Sequence, residues 1–267
     1  DVYHSGTTIG GLTTNAATIS QSATSASIGF YLDDQRPNYT GLVEDEYGSG
    51  SKSQATTFTS AVGSNFATNF NNEVILLFAI ISQGAATISS VSGGGFTWVN
   101  VGRANTNSGS VELWRTFAPT PTNFFPTVNY SVGVKSVNNL LIGFVGADIT
   151  GTNGSGAIGA FSTGSSTNAA PTISVTTTRN NSWVYGAVND PVANSTNTPG
   201  TGQGVIRSVG DSTNVCKSWV QRQSAITTTS GTNVTINDTA PTTDSCNILA
   251  VEILPAVRHN LAATGVG

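Results

Sequence analysis

Charge is what this sequence has least of. Asp, Glu, Lys and Arg together make up 9% of the 267 residues, against roughly a quarter in an average globular protein. The net charge is −4 and no basic run occurs anywhere. A nucleic-acid partner is therefore not expected, because nothing stands ready to neutralise phosphates. Histidine is confined to His4 and His259, near opposite ends of the chain, which excludes zinc-type ligand spacing. The longest apolar run, from Val74 to Ile81, falls far short of the ~20 residues a membrane helix needs. Met is absent altogether, and the chain opens on Asp1-Val2-Tyr3-His4. A mature chain that has lost its signal peptide is the expectation, and with it a secreted, extracellular setting.

In place of charge stand 39 Thr, 31 Ser, 25 Asn and 30 Gly. These residues suit pleated strands and tight turns and do not favour helix interiors, so the chain is expected to be all-β. A surface wetted by hydroxyls and amides also suits a subunit that packs against copies of itself. From about Gly63 onward, short strand patterns alternate with Gly, Asn and Pro turns. Val74 to Ile81 is continuous and apolar, as in a strand buried on both faces. Val111, Leu113, Arg115 and Phe117 alternate with Glu112, Trp114 and Thr116. Further strands are expected at 128–134, 140–145, 173–177, 183–188, 205–209, 217–222, 232–236 and 247–254, with 189–204 as a long surface loop. Eight to ten such strands with no helical period predict a jelly-roll-like β-sandwich over 61–256. Residues 1–60 show strand patterning in small residues and read as an extended N-terminal stem, and 257–267 as a tail.

Four ordered segments carry a resemblance. They are Ser92-Gly93-Gly94-Gly95-Phe96-Thr97-Trp98, Val111-Glu112-Leu113-Trp114-Arg115, Thr178-Arg179-Asn180-Asn181-Ser182-Trp183-Val184 and Leu249-Ala250-Val251-Glu252-Ile253-Leu254-Pro255. Together they resemble a jelly-roll-like domain common in secreted, often repetitive bacterial proteins, over about residues 65–256. That domain carries no catalytic signature to transfer. With a stem in front, the chain looks like a subunit of pilus-like extracellular fibrils assembled by strand donation. The resemblance implies a head-to-tail homopolymer, often glycosylated, in which each stem completes its neighbour's sheet. The candidate inserted residues are Ala17, Ile19 and Ala23, or Ala26, Ile28, Phe30 and Leu32. The same stem could instead dock on its own domain, and the tail could equally be the donated segment.

Other features point less far. Cys216 and Cys246 are expected to form one disulfide between late strands, the alternative being two buried thiols. Asp33, Asp34, Glu44, Asp45 and Glu46 offer hard oxygen ligands for calcium without the spacing of a known loop; otherwise they are a solvated hinge. No other cofactor is expected. Seven Asn-x-Ser/Thr sequons occur, about as many as chance provides at this hydroxyl frequency. Asn38, Asn153 and Asn194 are the glycosylation candidates because their surroundings read as loops. The acids of the globular region are Glu73, Glu112, Asp148, Asp190, Asp211, Asp238, Asp244 and Glu252, without a His among them. Glu112 and Glu252 either face one another or are sheet-surface charges near Arg115. No enzymatic activity is expected. Trp98, Trp114, Trp183 and Trp219 are read as core rather than as a sugar platform. A carbohydrate-binding or adhesive module is the alternative function, and a viral capsid or fibre protein a third.

Overall fold

The computed structural model describes residues 41–257 and the backbone of four short strands in the terminal segments. β1 (Tyr3–Ile9) and β2 (Leu12–Thr18) pair as an antiparallel hairpin, and β3 (Ile28–Phe30) follows. Next come β4 (Val43–Val62), β5 (Phe66–Ala67), β6 (Glu73–Ile81), β7 (Ile88–Ser92), β8 (Val99–Ala104), β9 (Ser110–Ala118), β10 (Asn123–Phe124) and β11 (Thr127–Val145). A short 3-10 segment, Thr152–Ala157, leads to β12 (Ile158–Ser166), β13 (Thr172–Thr176), β14 (Trp183–Asp190) and β15 (Thr198–Pro199). The series ends with β16 (Gln203–Asp211), β17 (Cys216–Gln223), β18 (Asn233–Ala240), β19 (Cys246–Ile253) and β20 (Leu261–Ala263). Contacts divide the chain into two compact units, a body of Thr40–Ala256 and a terminal unit of Asp1–Tyr39 with Val257–Gly267. In the terminal unit β20 pairs with β3, so stem and tail meet in one ladder. No helix among the described residues is long and apolar enough to cross a membrane.

The body is the expected all-β sandwich, built in a way the sequence did not announce. Its two larger sheets run β4-β11-β6-β9-β8 and β12-β19-β14-β17-β16. The first uses only residues 43–145 and the second only 158–253. In the second half β12 to β19 are eight successive strands, and the larger sheet has the order 1-8-3-6-5. Strands β13, β18 and β15 form a smaller sheet with the order 2-7-4. The first half repeats this plan with two long bent strands. The start of β4 pairs with the end of β11, while Phe58–Val62 pairs with Thr127–Val134, whose opposite edge takes β7. Counting each bent strand twice and setting aside the two-residue pair β5–β10 gives 1-8-3-6-5 and 2-7-4 again. Register shifts at Asn129, Val134 and Ser136 mark the bend, as bulges do where a strand leaves one sheet for another.

Three apolar layers follow from this plan. Between the larger sheets, Val74, Leu76, Phe78 and Ile80 of β6 and Ile142 and Phe144 of β11 meet Tyr185, Leu249, Val251 and Ile253. Tyr185 stacks on Phe78 at 6.3 Å and meets Phe144 edge-on at 5.3 Å. The opposite face of the first sheet, with Ile75, Leu77 and Ile81, is covered by Phe58, Phe66, Phe124 and Val128. The opposite face of the second, with Val188, Trp219 and Ile248, is covered by Ile173, Val175, Val234 and Ile236. β6 and β19 are accordingly buried at every position, and each Val, Leu, Ile or Phe among them stabilises by about 1.5–3 kcal/mol. Polar hooks fasten the halves. Asn189 Nδ2 donates to the carbonyls of Ile81, Ser82 and Ser108 at 3.0–3.2 Å. Asn107 donates through its backbone to Asn247 Oδ1, at 2.8 Å.

Three expectations are corrected. The stem does not reach residue 60: β4 is a full member of the first sheet, and its polar sequence reflects an edge position. Strands expected separately at 128–134 and 140–145 are one bent strand. The disulfide is absent, and Cys216 and Cys246 are both buried free thiols. They lie on β17 and β19, with β14 between: Asn189 pairs with Ser218 on one side and Asn247 on the other. Two ladder spacings make about 10 Å, beyond the ~7 Å limit on Cα separation for a bridge.

Two outcomes are expected. Phe78→Ala should lower unfolding free energy in urea by about 3–5 kcal/mol, through loss of apolar burial and a residual cavity. Maleimide should label neither cysteine in the native protein and both in denaturant, with intact mass unchanged by reductant.

Candidate functional site

The two sides of the sandwich differ. On one side β8 and β12 approach closely, and Phe161 occupies the space that a side chain on Gly102 would fill. On the other, β4 and β16 stand apart and leave a groove of about 490 Å³, lined by Tyr47, Leu140, Val205, Ile206, Arg207 and Arg222. Both lips are edge strands. β4 spans 20 residues and pairs with β11 alone, and it is exposed from Ser53 to Thr57. Unpaired backbone groups along such an edge are a template for another strand.

A bulge sets the chemistry of the upper lip. Glu44 pairs with Phe144 and Tyr47 with Ile142, three residues against two, so Glu44 and Tyr47 both point toward the second sheet. Glu44 Oε1 accepts from Tyr185 Oη at 2.7 Å and from Arg222 Nε at 2.9 Å. Arg222 also lies over the Trp183 ring, 4.5 Å from its centre. Burial, reinforced by Glu44, pushes the Tyr47 hydroxyl up to about 12 and that of Tyr185 well above its ordinary value. Both remain hydrogen-bond donors through neutral pH. Arg207 donates Nε to Asn138 Oδ1 at 2.7 Å and Nη1 to Ser49 Oγ at 2.9 Å. Among the described residues it meets no carboxylate, and burial lowers its pKa. Glu44 balances Arg222, so the groove keeps the positive charge of Arg207.

The residues singled out from sequence scatter. Of the donor-strand candidates, Ala17 pairs with His4 in the hairpin, Ile28 with Ala263 and Phe30 with Leu261. Ile19, Ala23, Ala26 and Leu32 lie outside the described residues. So do Asp33 and Asp34 of the calcium candidates, and Asn38. The remaining acids diverge: Glu44 is held by Arg222, Asp45 Oδ2 accepts from the backbone and side chain of Asn69 at 3.1 and 3.0 Å, and Glu46 is half-buried. Among the described residues no group of three or more His, Cys, Asp or Glu is arranged to hold a metal. Asn194 is exposed on the loop after β14, whereas Asn153 is half-buried in the 3-10 segment with a φ of 51°.

Glu112 and Glu252 do not face one another. Glu112, fully buried, accepts from Arg103, Asn100, Trp114 and the backbone of Ile88 at 2.7–3.1 Å. Glu252 accepts from Ala160, Thr178 and Arg179 at 2.8–3.2 Å. Each thus serves as an anchor for surrounding loops and strands. Arg115 instead donates to the carbonyls of Thr152 and Asn153. Trp98, Trp114 and Trp219 belong to the cores, and Trp183 is half-buried with Nε1 on the Gln223 carbonyl at 2.7 Å.

Buried carboxyls give the body a pH signature. Burial raises Glu73 and Asp238 to about 7 and Asp190 to about 6, with Asp45 beside Glu73 and Asp244 beside Asp190 adding to the shift. Asp148, Asp211 and Glu252 move the other way, because hydrogen bonds outweigh burial. For the raised group, the folded state binds protons more tightly than the unfolded chain, so stability falls as pH rises from about 4 to 7. For the lowered group, stability is lost as pH falls below about 4. The melting temperature should therefore peak near pH 4–5 and decline toward pH 8. Asp238→Asn should flatten that decline and gain on the order of 2 kcal/mol at pH 8, read by thermal melts across pH. Comparison with protein-family models, curated proteins and solved structures found no match to this chain.

Proposed function

We propose that this chain is a structural, non-catalytic subunit of an extracellular filament, joined head to tail by strand donation from its N-terminal segment. The observation that carries the reading is the 20-residue edge strand β4, beside an open groove. It pairs with β11 alone, and its backbone otherwise takes isolated hydrogen bonds, with Ser64 at Ser49 and from Asn214 at Gln54. A long open edge is a hazard in a protein that stays monomeric and an asset in one that polymerises. The terminal unit supplies the complement. Its described ladders are two-stranded, with strands of seven and three residues, and such ladders are marginal alone in water. Adding a strand to a neighbour's sheet satisfies backbone groups on both partners. A contact between two different surfaces of the subunit propagates as an open filament.

The low charge and hydroxyl-rich composition fit a surface that repeats against itself outside the cell. We read the two halves as diverged copies of one jelly-roll-like unit, each carrying the 1-8-3-6-5 and 2-7-4 orders. Buried carboxylates such as Glu112 and Glu252 are committed to anchoring the fold, which fits a subunit without catalysis. Of the glycosylation candidates, Asn194 is exposed on its loop, in a position able to carry a glycan. Burial of three Trp side chains and half-burial of the fourth favour the filament over a sugar-binding platform.

Negative-stain imaging of the full chain beside a chain lacking residues 1–35 tests the proposal. Filaments are expected from the first and folded, unpolymerised particles from the second. Monodisperse full-length particles under every polymerising condition would rule the filament out.

A further inference from the structure

We infer that the groove between β4 and β16 is the acceptor site of the filament contact, and that it takes residues Phe30 to Asp34 of a second copy. The inference rests on the filament reading and adds which surface receives the donor, and through which side chains. The groove is apolar on its floor, where Leu140 and Ile206 lie, and cationic on its rim, where Arg207 stands without a carboxylate among the described residues. A half-buried guanidinium held, among the described residues, by Asn138 and Ser49 alone is incompletely compensated. An incoming carboxylate would complete it.

The sequence offers a segment of matching pattern. Phe30 and Leu32 alternate, so in an extended strand they fall on one face. Asp33 and Asp34, the chain's only adjacent aspartates, follow at once. Seating Phe30 and Leu32 over Leu140, Val205 and Ile206 brings the aspartates to the rim beside Arg207. The unpaired outer edge of β16 offers backbone partners along the same path. The opposite side of the sandwich offers no such entry, because Phe161 closes it against Gly102. The asymmetry gives the contact one acceptor per subunit and hence one direction of growth.

The test is cysteine cross-linking in the full-length chain. Val205 is 37% exposed, so a thiol there is accessible, and the native thiols are buried. Leu32→Cys and Val205→Cys combined in one chain, on mild oxidation, should give a ladder of covalent oligomers on a non-reducing gel that reductant collapses. Either single variant should give dimers at most. Filaments that form normally with no ladder would overturn the groove assignment and leave the filament reading standing. A bridged monomer would overturn it too, by placing the segment in its own groove. Absence of filaments and of ladder together would sink both. Charge reversal supplies an independent readout. Arg207→Glu should cut filament yield at least tenfold, with Asp33→Arg/Asp34→Arg in the same chain restoring it. A folded Arg207→Glu protein that polymerises like the parent would overturn the pairing.

Discussion

Everything in this molecule depends on two β-sheets that are apolar on both faces. A sheet with one polar face rests against a single partner, whereas β6 and β19, buried at every position, demand cover above and below. Each half meets half of that demand itself, by folding its 2-7-4 strands over the outer face of its 1-8-3-6-5 sheet. The remaining faces have only each other. Val74, Leu76, Phe78 and Ile80 are therefore exposed in an isolated first half and inside in the pair. The central layer makes one body of two repeats.

Polar groups locate this layer. Asn107, Asn189 and Asn247 tie the 105–109 loop of the first half to strand ends of the second through buried hydrogen bonds. Arg222 on Glu44 at 2.9 Å spans the halves elsewhere, and Arg179 on Asp148 at 2.7 Å ties the second half to the connecting segment. Such contacts contribute little net stability but are costly to leave unmade, so they penalise any sliding of one sheet over the other. They also explain the scarcity of charge. Glu44, Glu112, Asp148 and Glu252 are placed as fasteners, and hydroxyls and amides wet much of the rest.

Strand content and the character of Val74–Ile81 were legible in sequence, because a continuous apolar run has no amphipathic alternative at that length. The alternation at Val111–Phe117 was legible too, although both faces of that strand prove buried, with Glu112 made polar by its anchoring role. The internal repeat was not legible. Its trace is slight: Asn71-Asn72 and Asn180-Asn181 precede the third strand of each half, with Asn72 and Asn181 in left-handed conformation at φ of 62° and 61°. Strand β4 has the sequence pattern of a stem because an edge strand keeps few apolar residues. The groove was invisible because Tyr47, Leu140, Arg207 and Arg222 converge from distant parts of the chain, and no local pattern marks a side chain that functions across a gap between sheets. The cysteine pairing failed on a similar point, since composition suggests a bridge and only sheet order reveals the strand in between.

The proposed filament requires an edge that is open in the subunit and closed on assembly. Hydrogen–deuterium exchange resolved over β4, compared between isolated subunits and assembled material, measures this directly. The account predicts fast exchange on the outer edge of Val43–Val62 in the subunit and strong protection on assembly, with β6 and β19 protected in both. Equal exchange of β4 before and after assembly would contradict it.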